Sequence, residues 1–437
     1  MRRRLRYSNW SGRHSTIPSA WEAPGDEEAV AALVRRAVAE GRRVKVVGAG
    51  HSWSDIGMPD DILVSLDGIA DVRAIDRDAG TITVGAGIRL WQLNARLAEA
   101  GLALPILGSV TEQSVAGVAS TATHGSSLVH GNIASGVVGA RLVTGRGDML
   151  ALGADDPRLA AARVGLGALG ILTEITIRVV PAFNLREEVE PVAVEQAAAD
   201  VEAIARSAEY VKIWHLPHTG MAQVFRYTRT DEAPNLSRVA RWIDDHVVNR
   251  RVFPALLRFS GRRPASIPRM NRIIARTYLK PTTMVAGSVE AFTLAMPPRH
   301  RETEYAVAIG DARAAFEGTL ALIERERLRV NFPLEVRFVR GDDAWMSPAY
   351  GRDTCQLGAY SGQAPDLDPY FRGFERLMDG LDGRPHWGKE TTISPAKVLA
   401  RLPMAAEFLA LRGRLDPHGV FANGFLDRVL GPRAAAG

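Results

Sequence analysis

Val46-Val47-Gly48-Ala49-Gly50-His51-Ser52-Trp53 decides how the rest of this chain is read. An apolar run suited to a strand feeds a glycine turn that presents one histidine. Glycine lets the backbone bend sharply and approach a ligand closely. Backbone N–H groups in such a turn can cradle phosphate. His51 then stands where it touches whatever those amides hold.

Upstream of the turn, residues 26–40 read as an amphipathic helix, with acids in the first turn and Gly41 after its end. Strands are expected at 43–47, 62–66 and 82–84, and a helix at 90–100. Residues 108–136 are rich in Gly, Ser, Thr and Ala and nearly devoid of bulky side chains. Such a stretch is either flexible filler or backbone packed against a large ligand. Within it, Gly108-Ser109 and Ser114–Gly125 expose amides and hydroxyls suited to a pyrophosphate or a flavin ring edge, though a small-residue helix on a sheet explains them too. Strands resume at 137–143 and 171–180, and Pro181 marks a domain boundary.

The second half has helical period at 192–207, 312–327 and 369–381. Strands are expected at 211–215, 223–227, 304–309, 330–339 and 354–360. Residues 236–279 are strongly basic and mixed helical. They lack regularly interleaved aromatics, which favours solvated helix faces over a nucleic-acid site. Alternating strands and helices in both halves indicate a two-domain α+β or α/β enzyme.

Bulk composition narrows the function classes. At 437 residues the chain exceeds what one core usually holds. A formal charge of +5 over that length does not imply nucleic acid. The Arg-rich start, Met1 to Arg6, is followed by no apolar stretch and so is not a signal peptide. No stretch approaches the about 20 apolar residues of a membrane span. Cys355 is the single cysteine, which excludes an internal disulfide and a cysteine metal cluster and suits a cytoplasmic protein. No histidine spacing matches a metal site.

Gly165-Leu166-Gly167-Ala168-Leu169-Gly170 matches G-x-G-x-x-G literally. A nicotinamide site needs a strand before it and a helix after it. Here the order is inverted, so a glycine turn packed closely on something is expected instead. Glu335 and Arg337 lie two apart on an expected strand and therefore face one side. That pair suits a polyhydroxylated substrate; a solvated strand face with a weak ion pair is the plainer alternative. His386 and Lys389, three apart, share a face if the backbone there is helical.

Taken in order, these motifs resemble the aldonolactone and alditol oxidase branch of the vanillyl-alcohol-oxidase flavoproteins, a group that includes D-arabinono-1,4-lactone and L-gulono-1,4-lactone oxidases. The resemblance rests on Ser8-Asn9-Trp10, the His51 turn, Gly108-Ser109, Ser114–Gly117, Ala122–Gly125 and Leu166–Ile171. It continues through Pro333–Phe338, Ala349–Cys355, Arg384–Lys389 and Leu415–Asn423. It implies an α+β, two-domain, PCMH-type FAD-binding fold: an FAD-binding domain over 1–182, a substrate or cap domain over 183–404, and a return to the first domain over 405–437. FAD would be held by Val46, Val47, Gly48, Ala49, Gly50 and Ser52, with His51 bonded covalently to the flavin 8α-methyl. Ser109, Ser114, Gly117, Val118, Ala119 and Ser120 would contribute, as would Thr123, His124 and Gly125. Ile171 would contact the adenine side, and His386 would also contact the cofactor.

Glu335, Arg337, Lys389 and Ser109 would line the active site. The reaction implied is hydride transfer from a carbinol C–H to flavin N5, with O₂ as the expected acceptor giving H₂O₂. Two positions depart from the branch. Relatives often carry a histidine two residues after the lysine, where this chain has Thr391, and another near Tyr360. Both are expected in the substrate pocket. They open a rival reading, a secondary-metabolite tailoring oxidase or dehydrogenase acting on a non-carbohydrate alcohol or amine.

Overall fold

Asp26 accepts a hydrogen bond from the Ala29 amide and caps helix Glu27–Ala39. Val30, Ala31, Leu33, Val34 and Ala37 form its buried stripe. They pack on a three-stranded parallel sheet ordered Ala20–Glu22, Ile62–Ser65, Val44–Val47. A computed structural model of the chain describes residues 5–362, 364 and 366–432. Most of the Arg-rich start (1–4) and the Ala-rich end (433–437) lie outside the described residues.

Beside this layer stands a five-stranded antiparallel sheet ordered Met149–Leu152, Val137–Val143, Ile171–Arg178, Thr81–Gly85, Val72–Asp76. Helices Leu90–Glu99, Val115–Ser120 and Pro157–Arg163 share its core. The end of the chain returns to the same core through Phe408, Leu411, Phe425 and Leu426. The return begins before residue 405, because Ile393, Val398 and Leu402 already pack there. Asn423 ties it down by donating to the carbonyls of Ile56 (3.1 Å) and Met58 (2.9 Å).

The middle of the chain forms an eight-stranded antiparallel sheet. Its order is Thr282–Gly287, Asn184–Ala193, Met221–Thr230, Tyr210–His215, Leu334–Val339, Thr354–Ser361, Arg301–Ala308, Arg384–Pro385. Successive side chains on a strand point to opposite faces, and this sheet uses the rule fully. Val211, Ile213, Leu334, Val336, Phe338, Cys355, Leu357, Tyr305 and Val307 pack under helices that include Ala312–Arg325 and Leu367–Asp379. The residues between them, Trp214, Glu335, Arg337, Tyr360, Glu302 and Glu304, line a chamber on the opposite face. The basic segment forms helices Arg238–Ile243, Asp244–Val252, Phe253–Arg262 and Ile267–Tyr278. It is not merely a solvated surface: Val248 and Phe253 reach the chamber. No helix among the described residues is long and apolar enough to cross a membrane.

Candidate active site

Strand Val44–Val47 ends in the His51 turn, and the turn is tight for a steric reason. A Cβ on Gly48 would lie 2.2 Å from Ser114 Oγ, and one on Gly50, at φ +69°, 2.8 Å from the Tyr7 hydroxyl. Ser114 caps the following helix by accepting from the Gly117 amide. The turn and the helix start enclose a channel lined by Val46, Val47, Gly48, Ala49, Gly50, Ser52, Ser114, Gly117, Ser120 and Ile171. Leu166, Gly167 and Gly170 of the inverted glycine motif line it too, so that motif serves this channel.

Three residues expected at the cofactor do not line the channel or the chamber. Val118 and Ala119 turn into the apolar core, because helical period puts them opposite Gly117 and Ser120. Gly125 packs against the chain at Leu107, whose carbonyl a Cβ would meet at 2.5 Å.

The channel opens into the chamber, about 450 Å³ in volume, and His51, Ser52, Gln113 and Thr121 line both. The His51 ring stacks on Trp10 at 5.8 Å, and burial lowers its pKa. Ser109, Thr123, His124, His386, Glu335, Arg337 and Lys389 all reach the chamber. A dinucleotide fits this layout: glycines whose Cβ atoms would obstruct the channel, a wider chamber beyond, and a histidine at the junction.

Two charged clusters face the chamber. In the first, Arg337 donates to Glu335 Oε1 (2.8 Å) and to Ser109 Oγ (2.7 Å). Trp214 Nε1 also donates to Glu335 Oε1 (2.6 Å), and the Tyr360 hydroxyl donates to Oε2 (2.8 Å). Burial alone would raise the Glu335 pKa; Arg337, Lys212 and the Trp214 hydrogen bond overcome it and bring it to about 2. Arg337 Nε is buried and has no partner within the protein. In the second cluster, Lys389 Nζ lies 2.5 Å from Glu302 Oε1, 4.0 Å from Glu304 Oε2 and 4.0 Å above the Trp53 ring. His124 Nδ1 faces the Gly125 carbonyl, which only accepts, so Nδ1 carries a proton. Its Nε2 meets Glu304 Oε1 at 2.7 Å. Burial opposes ionisation of Glu304, but His124, His386 and Lys389 hold its pKa well below the carboxylate range.

The two departures separate. Tyr360 lines the chamber. Thr391 does not: its hydroxyl pairs with Tyr305 OH at 2.8 Å and accepts from the Ile393 amide, away from Lys389's partners. His386 and Lys389 meet at a turn rather than on a helix. Sequence reasoning passed over Glu302, Glu304, Trp214 and Lys45. The two glutamates carry the same two-residue strand spacing that exposed Glu335 and Arg337.

Residues 175–429 match the D-arabinono-1,4-lactone oxidase family, and residues 18–153 match an FAD binding domain. L-gulono-1,4-lactone dehydrogenase of Mycobacterium tuberculosis is 34% identical over 98% of this chain and 99% of its own. Alditol oxidase of a Streptomyces species is 31% identical over 97% and 98%. The L-gulonolactone oxidase of Scyliorhinus torazame is 31% identical over 97% and 98%. Among solved structures, cholesterol oxidase from B. sterolicum superposes with a TM-score of 0.83 at 18% identity, covering 98% of this chain and 96% of that one. That likeness gives the fold, and the match over residues 18–153 makes it a PCMH-type FAD-binding fold. With both the fold and the sequence relationship in place, the chain belongs to the D-arabinono-1,4-lactone oxidase family of FAD-binding oxidoreductases.

Proposed function

We propose that this protein oxidises a CH–OH group of a sugar-like alcohol or aldonolactone, with O₂ as acceptor and H₂O₂ as product. The convergence of Ser109, Glu335, Arg337 and Lys389 on the chamber that His51 joins to the channel carries this proposal. FAD, held by the residues of the channel, would supply the hydride acceptor and the two-electron route to O₂. The substrate loses a hydride from carbon and a proton from its hydroxyl. Glu335, ionised and fixed at both oxygens, accepts a hydrogen bond from the substrate hydroxyl and orients the carbinol carbon. Its depressed pKa makes it a poor final home for the proton. Arg337, its pKa raised by Glu335 against the effect of burial, and Lys389, braced by Glu302, stabilise negative charge developing on oxygen. Trp53 under the Lys389 ammonium and the surrounding apolar wall keep that charge out of bulk water.

In this proposal residues 1–182, with the C-terminal return, hold FAD, and the eight-stranded sheet and its helices form the cap. His51 is the covalent anchor, placed where the channel meets the chamber. The single, buried Cys355 fits a cytoplasmic setting. Acid precipitation of purified protein is expected to leave yellow colour in the wild-type pellet and to release it from His51→Ala. Colour that washes out of wild type overturns the covalent anchor. Peroxide released in step with substrate identifies an oxidase, whereas turnover only with artificial acceptors identifies a dehydrogenase. A tailoring oxidase of a non-carbohydrate alcohol is the second reading, favoured by Tyr360 in the chamber.

A further inference from the structure

Tyr360 and Gly358 sit two apart on strand Thr354–Ser361, on its chamber side, and Gly358 lies directly opposite Glu335. A Cβ on Gly358 would come within 2.6 Å of the Tyr360 ring. The missing side chain therefore gives the ring its seat. The ring folds back across the glycine, and its hydroxyl is engaged by Glu335 Oε2. What remains facing the chamber is an aromatic surface. Phe332 lies nearly parallel to that ring, at 14° and 5.9 Å between centroids. Phe253 adjoins Phe332 at 5.1 Å, and the His300 ring stacks on Phe332 at 4.6 Å. Val248 and Met296 extend the same wall. Polar groups gather at the inner end, around Glu335, Arg337, Ser109 and Lys389; Asp244 and Asn249 supply others from the helical flank.

We propose that the substrate is an alcohol whose CH–OH group bears an aromatic or similarly flat apolar substituent, seated on the wall of Tyr360, Phe332, Phe253 and His300. The proposal rests on the second reading above, an oxidase of a non-carbohydrate alcohol, and narrows its class of substrate. The inner end takes a hydroxylated head through charged hydrogen bonds. Along the wall, a flat ring stacks in offset or edge-on contact and buries apolar surface that an extended polyol does not offer.

The test uses FAD-loaded enzyme under anaerobic conditions, titrated with 1-phenyl-1,2-ethanediol and with glycerol. Both offer the same terminal diol head. Perturbation of the flavin spectrum reports binding, and bleaching reports oxidation. The phenyl diol is expected to bind at least about tenfold more tightly than glycerol, within what aromatic burial and stacking supply. Phe253→Ala, a change at the start of a surface helix, is expected to shrink that ratio at least about threefold, with retained flavin content verifying the fold. Equal affinities, or a ratio that Phe253→Ala leaves unmoved, overturn the proposal. Tight phenyl-diol binding without bleaching upholds the wall and counts against oxidation of this CH–OH group.

Discussion

Lys45 is a buried amine lining the channel, with the Leu166 carbonyl at 3.4 Å as a weak acceptor. Burial, helped by the charge of Arg412, brings its pKa from 10.5 down to about 7. The sign of the consequence follows from linkage. Between those values the unfolded chain holds a proton that the folded chain does not, so stability rises with pH across that window. The penalty is full below about 7 and gone above 10.5. Lys45→Met should therefore stabilise FAD-free protein near pH 7 and do so much less near pH 10. Thermal midpoints of both proteins at the two pH values check this. An offset that does not change with pH removes the charge explanation. The protonated form of the same amine suits an anionic dinucleotide, so in the FAD-loaded protein the substitution should weaken cofactor retention.

On the scale of a strand, the pairing of Glu335 with Gly358 decides how the site is supported. Gly358→Ala is expected to drive the Tyr360 ring out of its seat, costing about 1–3 kcal/mol in urea unfolding, as overpacking of a core does. Tyr360→Phe removes the hydroxyl donor to Glu335. Because both changes break one contact, their effects should fall short of additive. Additive effects would show that the ring does not depend on the glycine. Strand period is also what made part of the site legible. Glu335 and Arg337 stood out because i and i+2 share a face. Glu302 and Glu304 obey the same rule but were hidden, since glutamate on a strand usually faces water. The His51 turn was legible because its glycines act locally. Thr391 was misplaced because its spacing from Lys389 does not say which way the intervening turn points. Strand Asn184–Ala193 was missed because its glutamates lower β-propensity and only Leu185 and Val189 are deeply buried.

Across the whole molecule, the C-terminal return is the piece that no local pattern in the sequence could place. Many of its contacts with the first core cross more than 300 positions, as from Asn423 to Ile56. Asn423 concentrates them: it caps helix Gly424–Leu430 through the Leu426 amide and donates to carbonyls just after the His51 turn. Asn423→Ala should cost about 2–3 kcal/mol, since buried carbonyls lose their donor. Flavin content should fall with it, because the loop it holds forms part of the channel. Denaturant unfolding together with the flavin-to-protein absorbance ratio checks both. A stability loss with full flavin content would show that the return braces the core but not the cofactor site.

The seam between the two halves has a further consequence. The Trp53 amide donates to the Gly388 carbonyl, Trp53 Nε1 to the His300 carbonyl, and Ser54 Oγ to the Trp387 carbonyl. The wall beside His51 is thus stitched to residues synthesised long after it. A nascent chain that has emerged only as far as the first two sheets has the glycine turn but no roof over it. Contacts so distant in sequence form late, after the loop-closure entropy has been met. Firm cofactor loading is therefore expected to follow synthesis of nearly the entire polypeptide.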